Sequence, residues 1–227
     1  MNKKLHIIAV ISNIIYLIFM IYFIVILVIS FRIALVNVIN QSEFMHPNLF
    51  RNITNYSIII IVLLNSLVAC TLLIQYNTFI KWLASQNKLL IEKIDNLIEM
   101  KNIDEDFLRH TMNKIKTNKI SIYPWSIICI LGPQLITIPM YLLHQNWRKV
   151  GTLENECLRR IKSSVKVENK IGLEKFPIKR FWLWAIFCNW ILGYQTPIWI
   201  FIYLKKVRHF VSDVEDNLKE LNNQIIG

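Results

Sequence analysis

The side chains able to do chemistry are few in this chain and poorly placed for it. The five histidines, His6, His46, His110, His144 and His209, stand singly, with no cysteine or second histidine at zinc-ligand spacing, so no metal centre is expected. Of the four cysteines, Cys70, Cys129 and Cys188 sit inside apolar runs and Cys157 in a polar stretch, a distribution that suits small packing groups and not a disulfide framework. The acidic run Asp104-Glu105-Asp106 reads as the start of a helix, whose dipole favours acids there. There is no glycine-rich phosphate loop, no Gly-x-Ser-x-Gly elbow and no His-Glu-x-x-His. The expectation is a protein without a catalytic centre and without a cofactor.

The remaining polar chemistry is neutral and lies inside apolar sequence: Asn65 and Ser66, Gln134 and Thr137, then Asn189, Gln195 and Thr196. Amides and hydroxyls at such positions either line a weakly selective path or join one helix to another. No Asp, Glu, Lys or Arg lies deep in the same runs, which argues against a proton-coupled carrier.

The elements that carry these residues are four apolar blocks, 5–31, 53–76, 120–143 and 181–204. Each reaches the roughly 20 residues that a helix needs to cross about 30 Å of hydrocarbon. With 54% hydrophobic residues and only 5 Gly and 6 Pro, the composition matches neither a disordered nor an ordinary soluble chain. The fold class expected is an all-α integral membrane protein. The segments are 1–76, an N-terminal transmembrane pair; 77–119, a cytosolic hairpin or coil; 120–144, membrane segment three; 145–180, a basic linker; 181–204, membrane segment four; and 205–227, a C-terminal amphipathic helix. The first block follows Met1-Asn2-Lys3-Lys4 and is too long for a cleaved secretory signal, so it is read as a retained anchor with its N-terminus in the cytoplasm.

Blocks three and four repeat one pattern. Trp125, Ile127, Cys129 and Ile130-Leu131-Gly132-Pro133-Gln134 in the first match Trp184, Ile186, Cys188 and Ile191-Leu192-Gly193-Tyr194-Gln195 in the second, and both leave through Tyr-Leu. The pattern resembles small bacterial membrane domains with a Trp-rich helix, a central Gly and a Tyr-Leu exit, a resemblance that implies no particular function. Gly132-Pro133 with Pro139, and Gly193 with Pro197, break both blocks at their centres, where a helix kinks or turns. Four plain crossings would divide the Lys and Arg almost equally between the two sides. Re-entry of blocks three and four would leave only Arg32 and Arg51 outside, as the positive-inside rule prefers, whereas kinked transmembrane helices are common and favour ordinary crossings; the two late segments are read as crossing or re-entrant.

Two apolar seams leave the membrane. Ile80, Asn87 and Ile94, with Leu83, Leu90 and Leu97, fall at coiled-coil a and d positions, with one Asn at a to fix register. Val207, Val211, Val214, Leu218, Leu221 and Ile225 form a second stripe. The first seam can be filled by a second copy of the chain or by Phe107, Leu108, Met112 and Ile115 folding back; the second can be covered by the first seam, by another subunit or by a cytosolic protein. Between blocks three and four, Leu153, Cys157, Ile161 and Val165 mark one face of a basic helix. Arg148, Lys149, Arg159, Arg160 and Lys162 would bind anionic lipid, which ranks above nucleic acid because no base-reading module accompanies the charge.

These features point to a non-enzymatic oligomeric membrane scaffold or sensor that presents cytosolic helices to a soluble partner. The alternative is a small weakly selective channel or membrane-perturbing effector. Usage rich in Ile, Asn and Lys suggests an AT-rich bacterial source, and hence a bacterial inner or plasma membrane, where proteins of this kind include bacteriocin immunity proteins and membrane subunits of antiviral systems.

Overall fold

The computed structural model describes residues 3–40, 47–95, 105–131, 133–165 and 196–226. Every element among them is a helix. In chain order they are α1 (Lys3–Asn40), α2 (Pro47–Asp95), α3 (Glu105–Thr117), α4 (Ile122–Leu131), a 3-10 turn (Pro133–Ile136), α5 (Thr137–Val165) and α6 (Thr196–Ile226).

α1 is apolar on all sides, and within the chain it buries the face of Ala9, Ser12, Asn13, Tyr16 and Met20, which recur at helical spacing. Ile18, Val28 and Phe31 stay more than half exposed. A helix apolar all round needs an apolar surrounding. α1 over His6–Arg32 and α2 over Asn55–Lys93 are each long and apolar enough to cross a membrane.

α2 is the spine. Its 49 residues start at Pro47, where a missing N–H costs nothing, and run unbroken through the second apolar block into polar sequence. At 1.5 Å per residue it is roughly 73 Å long, more than twice the hydrocarbon thickness. α1 packs antiparallel along its first half. α3 returns along its second half, opened by Glu105 and Asp106 and closed by Lys114 and Lys116, in keeping with the dipole.

The third apolar block is a helical hairpin. α4 climbs beside α2, the chain turns through Pro133–Ile136, and α5 comes back down. The two ends of the hairpin meet, with Asn118 Nδ2 3.5 Å from the Asn146 carbonyl. Pro133, which opens the 3-10 segment, and Pro139, in the first turn of α5, explain the turn; Pro124 and Pro197 likewise fall in the first turns of α4 and α6, where the backbone N–H has no helical acceptor to lose. α6 descends from the level of α1 Asn13, which donates to the Pro197 carbonyl at 2.9 Å, to the end of α2, where Lys93 donates to Asn222 at 2.7 Å. Residues 196–204 of block four begin α6. The earlier part of that block, and with it the second copy of the repeat, lies outside the described residues.

The second halves of α2, α5 and α6, all running one way, and α3, running the other, form a four-helix bundle. Its core includes Phe79, Ile80, Leu83 and Leu90 from α2, Leu108 and Ile115 from α3, Trp147, Val150 and Ile161 from α5, and Val207, Phe210 and Val214 from α6. Gly151 leaves room on α5 for the Phe210 ring of α6, since a Cβ there would meet that ring at 3.1 Å.

Candidate functional site

One level of the structure ties the helices together. Asn77 makes a reciprocal pair with Ile120, donating Nδ2 to its carbonyl at 2.8 Å and accepting its N–H at 3.0 Å. Tyr76 donates to the Asn118 carbonyl at 2.8 Å, and Gln75 Nε2 lies 3.1 Å from His6 Nδ1 on α1. Trp147 Nε1 donates to the Tyr203 hydroxyl at 2.6 Å and packs against Tyr76, Phe79 and Phe210, with ring centroids 5.1, 4.8 and 5.6 Å away. His6, Tyr76, Asn118, Asn146 and Tyr203 therefore mark a collar of five chain segments at one height.

The surface changes character at this collar. Exposed large apolar residues stop at Ile7 on α1, Ile74 on α2, Tyr123 on α4, Tyr141 on α5 and Ile198 on α6; below it, Leu89 is the one further example among the described residues. On the other side basic residues begin in every segment: Lys4, Lys81, Lys119, Arg148 and Lys149, then Lys205, Lys206 and Arg208.

Above the collar, the deep polar residues are helix joints. Ser66 donates to the Ser126 carbonyl at 3.0 Å, Cys70 Sγ lies 2.9 Å from Ser126 Oγ, and Asn65 and Thr137 are buried. The side chain of Gln134, and all of Asn189 and Gln195, lie outside the described residues.

Below the collar, the two seams are filled from within the chain. Ile80, Leu83, Asn87 and Leu90 are buried, as are Val207, Val211, Val214, Leu218 and Leu221. The side chains of Ile94 and Ile225, and all of Leu97, lie outside the described residues. The apolar face of the basic stretch does not lie along a flat surface: Cys157 and Ile161 are buried in the bundle, Leu153 is half-buried, and the side chain of Val165 lies outside the described residues. Arg159 and Arg160 turn to Glu156 at 3.0 and 3.3 Å, and Arg160 sits 4.3 Å over the Phe107 ring. They are some 13 residues past Asn146, roughly 20 Å down α5. Arg148 and Lys149 flank the collar itself; the Lys162 side chain lies outside the described residues. A groove of about 370 Å³ between α2 and α6 is lined by Trp82, Leu89, Lys93, Glu215, Lys219 and their neighbours.

In the middle of the bundle Asn87, read from the sequence as the one polar a position, meets a partner that sequence reasoning missed. Asn87 Nδ2 on α2 donates to Glu154 Oε2 on α5 at 2.7 Å, with Glu154 0% and Asn87 1% exposed. Burial pushes the Glu154 carboxyl up to about 7, the Asn87 bond opposing only in part. Burial and the neighbouring Glu154 also raise Cys157, which stays a thiol. A signal existed: the buried stripe of α5 is Val150, Glu154, Cys157, Leu158 and Ile161, and one acid on such a stripe requires a partner. Among the described residues, no three His, Cys, Asp or Glu come together as a metal site would need.

The chain matches no protein-family model, no curated protein and no solved structure. Function therefore rests on the geometry.

Proposed function

We propose that the protein is a non-enzymatic membrane scaffold that holds a four-helix bundle against the cytoplasmic face of the bilayer. The observation that carries this reading is the collar: five segments change from exposed apolar to basic surface at one height. From Asn55 to Gln75, α2 rises roughly 30 Å above it, the thickness of the hydrocarbon. α4 rises only about 15 Å, so the α4–α5 hairpin enters from one side and returns. Basic residues on the bundle side orient that side to the cytoplasm. Tyr123 and Tyr141, exposed just above the collar, lie where aromatic groups favour the interface. A soluble partner meets the bundle on its polar outer faces and not at the seams, which are occupied.

Cysteine labelling in intact cells tests the topology, using single cysteines at exposed positions in a chain whose own cysteines are replaced. Asn52→Cys should react with an impermeant maleimide from outside. Lys88→Cys, Arg109→Cys, Thr152→Cys and Ser212→Cys should react only after permeabilisation. Labelling of Thr152→Cys from outside would sink the re-entrant arrangement.

The basic residues beside the collar meet anionic headgroups in this reading, each contributing about 1 kcal/mol near the surface. Arg159 and Arg160 lie beyond the Debye length of about 8 Å at physiological salt. Changing Arg148, Lys149, Lys205 and Arg208 to Glu should strip most anionic lipid that co-purifies with the protein. Arg159→Glu with Arg160→Glu should leave it unchanged. Equal loss from both sets would remove the special role of the collar.

A further inference from the structure

We propose that Asn87 and Glu154 form a proton-binding site in the bundle, in which protonated Glu154 donates from Oε1 to Asn87 Oδ1 and closes a two-bond acid–amide ring between α2 and α5.

The geometry points to a bound proton. Asn87 Nδ2 already donates to Glu154 Oε2 at 2.7 Å, while Asn87 Oδ1 and Glu154 Oε1 are both buried without a hydrogen-bond partner. With an ionised carboxylate both orphaned atoms are acceptors, and neither can satisfy the other. One proton on Oε1 makes it a donor and satisfies both at once. The terminal torsions of Asn and Glu are broad, so the two planar groups can turn into register at little cost.

Among the described residues, no charge nearby favours the carboxylate. On α5, Cys157 is a buried neutral thiol, and Glu156 points outward to Arg159 and Arg160. On α2, Lys88 and Glu92 are exposed and pair with each other at 3.3 Å. On α3, Arg109 and His110 are exposed and Thr111 is buried; on α6, Val211 and Val214 are buried and Asp213 and Glu215 half-buried. The carboxyl's main surroundings are apolar side chains and one amide, so burial favours the neutral acid.

The consequence is a bundle whose cohesion depends on pH. The folded chain holds the Glu154 proton up to about 7, against an ordinary value of 4.5. Between these values the folded state binds more protons than the unfolded one, so stability falls as pH rises through the window and levels off above it. The shift lies close to cytoplasmic pH, where a small rise would loosen α5 against α2.

The test uses the full chain in nanodiscs, with thermal unfolding followed by circular dichroism between about pH 5 and 9. The wild-type midpoint should fall with rising pH. Glu154→Gln carries the same donor and acceptor as the protonated acid, so its midpoint should lose that fall and exceed wild type at alkaline pH. Infrared difference spectra should show a protonated-carboxyl stretch in wild type at acid pH, absent from Glu154→Gln and bleached at alkaline pH. In Asn87→Leu the band should move to that of an acid without an acceptor. Identical pH profiles in wild type and Glu154→Gln would overturn the site, as would the lack of a carboxyl band belonging to Glu154. Failure of Glu154→Gln to fold would do the same, because an amide satisfies the proposed ring.

Discussion

Trp147→Ala is expected to destabilise the bundle by about 3–5 kcal/mol, the range for removing a buried large aromatic side chain. Trp147 is 1% exposed and is the largest fully buried side chain among the described residues. Its ring is shared by α2, through Tyr76 and Phe79, and by α6, through Phe210. Its loss empties a space bordered by three further rings, which cannot all collapse inward together. It also leaves the Tyr203 hydroxyl without the Trp147 indole N–H, a further cost of about 1–3 kcal/mol if water does not replace it. Trp147→Phe keeps most of the ring packing and loses the bond, so its effect should be no more than half as large. Chemical unfolding in nanodiscs measures both. A cost for Trp147→Ala below about 1 kcal/mol, typical of surface positions, would show that the collar is not a packed joint.

Leu83→Lys is expected to unfold the bundle while leaving the apolar half inserted. Leu83 is 0% exposed, at the centre of the α2 seam. Truncating such a leucine costs about 2–5 kcal/mol, and burying an unpaired ammonium adds several more, against a typical domain stability of about 5–15 kcal/mol. The control is Leu89→Lys, six residues on and 51% exposed, which should change stability by no more than about 0.5 kcal/mol. Limited proteolysis from the bundle side, with native mass spectrometry, separates the two ways of filling the seam. If it closes within the chain, Leu83→Lys makes α2 and α5 cleavable below the collar without first releasing folded subunits. If it joins two copies, Leu83→Lys gives folded, protease-resistant monomers from a larger wild-type assembly. The second outcome would contradict the packing described above.

The sequence by itself determined what each helix looks like along its own axis. Composition and run length disclose the two long apolar helices, the absence of a breaker between Tyr56 and Asp95 discloses that α2 is continuous, and four-and-three spacing discloses the buried stripe of α6. Gly132, Pro133 and Pro139 mark where the third block turns. These signals are local, because helical periodicity and proline sterics act over a few residues.

Only the tertiary structure decided which faces meet. Asn87 and Glu154 are 67 residues apart, and no periodicity within either helix says that one amide faces one acid. The stripe on α5 reads one position away from its buried face because Glu154 interrupts the apolar pattern that would have marked it. The hairpin form of block three depends on Asn118 reaching both Tyr76 and Asn146, contacts that close long loops and leave no trace in local sequence. The occupant of the α2 seam is decided the same way. A heptad states that an apolar face must be covered, and many surfaces satisfy that demand equally well. Selection among them comes from chain connectivity, which brings α3, α5 and α6 back to α2 at a lower entropic cost than a second molecule would incur.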